Sequence, residues 1–460
     1  MSSIPQNTES EQQLEGSINK FISTYKLRKL LISCNAGKEK GVPIMKVFRY
    51  LLCIVFADRS MYMQLKTDAF KEDFSKNTIY RFLDNPKTNW QKFTTLLSEK
   101  VINGFFRRLT SDERSDVFII DDSLFDRSTS KKTDMLAKVF DHCDMKYKKG
   151  FRLLTLGWSD GNSFIPVNHC LLSASKDENL LYAGKQYDGR SLAAKRREQS
   201  RRKATDVMIE LLKSALKSGH QAKYVLFDSW FSSPKTITAI KEQFNLDTIA
   251  MVKISSKVFY EYKGERLSVK QIYSRNRKRR GRSKYLLSLD VMIGKDNDKI
   301  PAKIVCVRNK SNKKDWLAII STDTTLSEEE IIRIYGKRWK IEVFFKTCKS
   351  YLKLVKETRS TSYDALNAHV ALVFTRYMII SISQRCNEDP KTICEIFYYL
   401  ANELADITFN SSLKILMQAM LDTVTEFFHI TEEQLADFTS SFINRLPNYM
   451  KDALNCVSIA

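Results

Sequence analysis

Two short runs constrain the fold more than anything else in the chain. DVFIIDDS at 116–123 and YVLFDSWFSSP at 224–234 each carry an unbroken apolar stretch that stops at an aspartate. A run that short and that apolar has no polar face to offer water, so it fits a strand covered on both sides. An aspartate after one strand is ordinarily a turn or cap residue. Two of them, Asp121 (with Asp122 as its alternate) and Asp228, closing two strands of the same kind, are candidates for shared chemistry.

The order of elements around these runs is informative. FRLLTLGWSDGNSFIPVNHCLLSAS reads as two strands about the turn at Asp160-Gly161-Asn162. A basic stretch, Lys185 to Lys203, leads into a helix with Val207, Leu211, Leu212 and Ala215 inward and Gly219 as its stop. After the Asp228 strand come a helix from Pro234 to Phe244 and a fifth strand, DTIAMVKI. Residues 254–325 then alternate like antiparallel strands, as in KYLLSLDVMI and AKIVCVRN, around the basic turn RNRKRRGRSK. Strand, strand, strand, helix, strand, helix, strand, helix resembles an RNase H-like domain. The predicted fold is therefore α/β: an RNase H-like catalytic domain with a β-rich insertion and helical flanks. The expected boundaries are 1–112 (helical, DNA-binding), 113–253 and 326–375 (catalytic), 254–325 (insertion) and 376–460 (helical, for association or DNA binding).

The last element of that order, SEEEIIRIYGKRWKIEVFFKTCKSYL at 327–352, begins with a serine cap and three glutamates that suit a helix N-terminus. Read as one helix of about six turns, it sets Tyr335, Arg338, Glu342 and Lys349 within about 60° of one another, with Trp339 and Lys346 beside them. Ordinary i,i+4 pairing explains the charges but not the aromatics among them. The spacing of Tyr335, Arg338, Glu342 and Lys349 resembles the Tyr-Arg-Glu-Lys signature of DDE transposases of the insertion-sequence four family. That resemblance implies Asp121, Asp228 and Glu342 as the catalytic, metal-binding acids, since the family's first acid precedes a Ser or Thr by two and Ser123 follows Asp121. It also implies Tyr335, Arg338 and Lys349 as holders of the terminal phosphates, Lys346 on the backbone, and Trp339 as a ring for a displaced base. A core position beside Ile341 and Val343 is the other reading of Trp339.

The chemistry agrees with those roles. Three carboxylates without His or Cys select Mg²⁺ or Mn²⁺, and two such ions can drive an in-line attack on phosphorus. Composition points to the same partner: 75 Lys and Arg against 53 Asp and Glu give a net charge of +22, which favours double-stranded DNA. Nine cysteines without a CxxC pair read as reduced and buried, and the close trio His142, Cys143 and Asp144 as a weak metal candidate at best. The polar start, MSSIPQNTESEQQLEG, and the lack of a long apolar run predict a cytoplasmic protein that does not meet a membrane. In the N-terminal region FSKNTIYRFLDNP could be a recognition helix presenting Lys76, Asn77, Thr78 and Arg81, or a packing helix. The expected function is a cut-and-paste transposase acting on terminal inverted repeats, as a homodimer because two ends must be paired. An RNase H-like nuclease or resolvase, or a non-catalytic DNA-binding regulator, are the alternatives.

Overall fold

The computed structural model describes residues 18–386 except 39, 57–60, 67–69, 71, 110–114, 142–143, 281–282, 295–298 and 310–314, together with part of 420–445. The trio at 142–144 and most of the 376–460 region therefore lie largely outside the described residues. Among the described residues, one twelve-stranded sheet organises the chain. Helices Ile44–Cys53 (α1), Lys76–Leu83 (α2) and Trp90–Gly104 (α3) precede it. Strands Val117–Asp126 (β1), Leu136–Asp141 (β2), Lys146–Ser159 (β3), Phe164–Leu172 (β4) and Leu180–Tyr182 (β5) follow. Next come helices Leu192–Ser200 (α4) and Ala204–Lys217 (α5), strand Tyr224–Phe227 (β6), helix Pro234–Phe244 (α6) and strand Asp247–Met251 (β7). β4, β3, β1, β6 and β7 lie side by side, with β1, β6 and β7 parallel and β3 and β4 antiparallel. This mixed α/β sheet fits an RNase H-like domain.

Strands Phe259–Tyr262 (β8), Glu265–Ser268 (β9), Leu287–Ile293 (β10), Ile300–Arg308 (β11) and Trp316–Ser321 (β12) form an antiparallel array. It is continuous with the first sheet, because β12 pairs with β7 at Ile319 to Met251 and Ile320 to Ala250. β2, absent from the sequence reading like β5, pairs with the first half of β3, which extends well beyond β4, and β5 pairs with β2. LAKVFD mixes Lys and Asp into a short run, so it carries no clear strand period.

The segment 327–352 departs from expectation. It is two helices, Glu328–Gly336 (α7) and Trp339–Ser350 (α8), rather than one of six turns. At the joint the amides of Lys337, Arg338, Lys340 and Ile341 each donate three residues back, which tightens the turn. Gly336 weakens the helix there, and two lysines pull the joint onto the sheet. Lys337 Nζ donates to Ser115 O at 2.6 Å and Lys340 Nζ to Asn162 O at 3.2 Å. The predicted serine cap does form, as a capping box between Ser327 and Glu330.

α8 is seated by aromatic packing. Phe344 meets Phe164 of β4 at 4.9 Å between ring centres, and it also meets Phe374 and Tyr377 of the long helix Tyr363–Cys386 (α9). Phe164 in turn lies over Gly157, where any side chain would collide with its ring. By length and apolarity α9 could cross a membrane, contrary to the expectation that no such segment exists, but 94% of its apolar window is buried inside the fold. It is the central core helix, and its buried Arg376 pairs with Glu357 and caps the carbonyls of Leu51 and Leu52 at the end of α1.

Candidate active site

The parallel ladder between β1 and β6 ends at Ile120 opposite Phe227. The next residue on each strand is an aspartate, so the register sets Asp121 beside Asp228. Asp121 does not end its strand as expected: β1 runs on to Asp126 against β3, and it is β6 that stops. Asp228 begins a tight turn, its Oδ1 accepting the amide of Trp230 at 3.0 Å. Phe231 then enters the core, and Ser233 with Pro234 starts α6.

From the other side the α7–α8 joint brings Arg338. Its Nη1 donates to Asp121 Oδ2 at 2.9 Å and its Nη2 to Glu342 Oε1, so one guanidinium bridges two of the three acids. Burial pushes the Asp121 carboxyl up to about 7, the Asp228 charge adds to that rise, and Arg338 opposes it. Burial also raises Asp228, against the pull of the Trp230 amide. Tyr335 is buried beside these groups, with its hydroxyl raised first by desolvation. Two like-charged carboxylates held out of water with one guanidinium between them and Glu342 make a site short of positive charge.

Asp122 pairs with Arg152 Nε, and its charge adds to the rise of both Asp121 and Asp228. Arg152 also lies over the ring of Trp230, its guanidinium carbon 5.2 Å from the centroid, and Lys253 Nζ approaches the same ring at 5.6 Å. Sequence reasoning missed Arg152, Trp230 and Lys253; the signal available was an indole two residues after Asp228. Trp339 is 63% exposed, which excludes the core position. Lys346 is exposed and Lys349 half-buried, about 6 and 10 Å of helix rise beyond Glu342. The basic stretch 185–203 is not a uniform DNA-facing surface: Arg196 and Arg197 are buried, paired with Asp364 and, for Arg197, Asp134.

Residues 52–316, more than half of the chain, match the DDE superfamily endonuclease family. The chain belongs to that family. Comparison with curated proteins finds no match. Membership makes this a nuclease- or transposase-type enzyme, with DNA the substrate the family suggests and divalent metal ions the cofactor its members generally use. The matched segment includes Asp121 and Asp228 of the endonuclease and stops before α7 and α8, which carry Tyr335, Arg338 and Glu342.

Proposed function

We propose that this endonuclease is a cut-and-paste DNA transposase of the insertion-sequence four type. It would bind the terminal inverted repeats of its own element, cut there and join the 3′ ends to a target. The observation that supports this best is the β1–β6 register, which puts Asp121 beside Asp228 under the Arg338–Glu342 pair.

In this reading Asp121, Asp228 and Glu342 would hold two Mg²⁺ or Mn²⁺ ions. When bound, such ions activate a water or 3′-hydroxyl and stabilise the leaving oxygen of an in-line displacement. The donors suit them, since all are hard oxygens. Among the described residues no three acidic, thiol or imidazole groups stand together as a ready metal cluster. Arg338 lies between two of the acids instead. A guanidinium forks onto phosphate as readily as onto carboxylate, so a DNA phosphate that draws Arg338 away would leave Asp121 and Glu342 free for the ions. Tyr335, Lys349 and Lys346 would hold the strand nearby, and two copies of the chain would pair the two ends.

The test uses the DNA flanking the coding sequence, with Mg²⁺. Wild type should nick at the element's ends and join the 3′ ends to a target. Asp228→Asn and Glu342→Gln should fall to background while DNA affinity stays within about twofold. Cutting without joining would assign the chain to the nuclease reading, and cleavage persisting in Glu342→Gln would remove α8 from the mechanism.

A further inference from the structure

β3 is longer than its neighbours. Its second half lies between β1 and β4, but β1 ends opposite Gly150 and β4 opposite Arg152, so among the described residues 146–149 have only β2 as a strand partner. The result is a two-stranded ribbon, 138–141 on 146–149, that runs on past Asp121. Thr155 faces Asp121 in register, and Lys149 lies six residues further along β3, about 20 Å beyond it.

The two faces of this ribbon differ. Residues directly opposite share a face, so Ala137, Val139, Asp141, Lys146 and Lys148 lie on one side and Lys138, Phe140, Tyr147 and Lys149 on the other. On the first side Ala137 and Val139 are buried with Ala174, and Lys148 pairs with Asp141 at 2.7 Å and with Asp144. On the second, Lys138 and Lys149 are both exposed and stand directly opposite each other, with no acid on that face of the ribbon. Tyr147, 67% exposed, meets the half-buried Phe140 edge-on, ring centres 5.3 Å apart. Like charges directly opposite destabilise a strand pair. This ribbon neutralises the lysine on its packed side and keeps a repelling pair on its open side, which fits a face whose counter-charge comes from another molecule. Two ammonium groups and a phenol hydroxyl suit phosphate oxygens, and a two-stranded ribbon is narrow enough to lie along a duplex. A second copy of the same face would repel it.

We propose that the face of the β2–β3 ribbon bearing Lys138, Lys149 and Tyr147 is a clamp on the backbone of duplex DNA, remote from the acids and blind to base sequence. The proposal rests on the DNA-processing reading of the Asp121–Asp228 site and adds a second place at which that site's substrate is held.

The experiment measures binding over a range of salt without divalent metal, so that nothing is cut. Full-length wild type, Lys138→Gln/Lys149→Gln, Lys138→Glu and a charge control, Lys213→Gln/Lys217→Gln at exposed positions of α5, are titrated into duplexes of two unrelated sequences. Each phosphate contact contributes about 0.9 to the slope of log affinity against log salt, so the ribbon double variant should flatten that slope by about 1.8 on both sequences and the control by less than about 0.5. Lys138→Glu should weaken binding as well, yet raise the unfolding temperature, because a carboxylate opposite Lys149 replaces a repulsion with a pair. A fall in both affinity and unfolding temperature would make the lysine pair a structural feature and overturn the proposal. So would an unchanged slope, an equal change in the control, a change on one sequence only, or binding of polyglutamate that depends on the two lysines while the DNA slope does not. Failure of the transposase reading looks different: a ribbon-dependent slope in a protein that does not join its element's ends keeps the clamp and removes the transposase, and joining with an unchanged slope does the reverse.

Discussion

Asp121 and Asp122 are neighbours in sequence and opposites on the strand. One meets Arg338; the other pairs with Arg152, while the charge of Asp122 still acts on Asp228. Polar residues away from the site show how strongly burial sets protonation. His220 is buried between Ser98 of α3, at 2.9 Å from Nε2, and Ala215 O of α5, at 3.1 Å from Nδ1, and desolvation lowers its pKa to about 4. Its folded value lies below the unfolded one, near 6.5, so its contribution is complete above about pH 6.5 and is lost as pH falls towards 4. The loss is on the order of 3 kcal/mol. Denaturant unfolding of wild type and His220→Gln should therefore show a stability difference that shrinks by about that much between pH 7.5 and 4; a difference independent of pH would mean the imidazole is not held neutral.

At the scale of elements, the joint between α7 and α8 decides the geometry. A straight helix would have kept Tyr335, Arg338 and Glu342 on one stripe but would not have been drawn down by Lys337 and Lys340 onto the strand ends. Gly336 sits at the joint with nothing near the place of a side chain and an ordinary helical backbone. Gly336→Ala should therefore stabilise the protein by about 0.5–1 kcal/mol, read as a rise in the denaturant midpoint. Destabilisation would show that the joint needs glycine's freedom. The α2 segment presents Lys76, Asn77 and Arg81 to solvent while Ile79 and Phe82 are buried, with Phe82 edge-on to Trp90 at 5.7 Å. One helix thus serves packing on one side and leaves a polar side open.

For the whole molecule, nearly all the buried apolar residues among those described form one cluster from Ile18 to Ile380, with Ala137, Val139 and Ala174 a small second one, so the N-terminal helices, the extended sheet and α9 share a core. A charged knot joins the same parts: Arg196 and Arg197 of α4, Asp364 at the start of α9, and Asp134 before β2. Buried charges are stable only while paired, so Asp364→Asn should cost about 3–5 kcal/mol and lower the unfolding temperature of the whole chain in one transition. Loss of DNA affinity at unchanged stability would instead make these arginines DNA contacts.

The class of the fold was legible because two apolar runs ending at Asp121 and Asp228 allow few other burials, and because the order of strands and helices follows from local patterning. The placing of the two aspartates was legible only in part: the sequence ended both strands at them, whereas β1 runs on to Asp126 and only β6 stops. What the sequence could not carry was anything set by contacts far apart in the chain. The break of 327–352 depends on Ser115 and Asn162, the exposure of Trp339 on which side of α8 Phe344 packs, and the withdrawal of Arg196 and Arg197 on Asp364. Helical periodicity sees only neighbours along one element. Arg152 from β3 and Lys253 from beyond β7 meet at the ring of Trp230, and only the sheet's order brings them there.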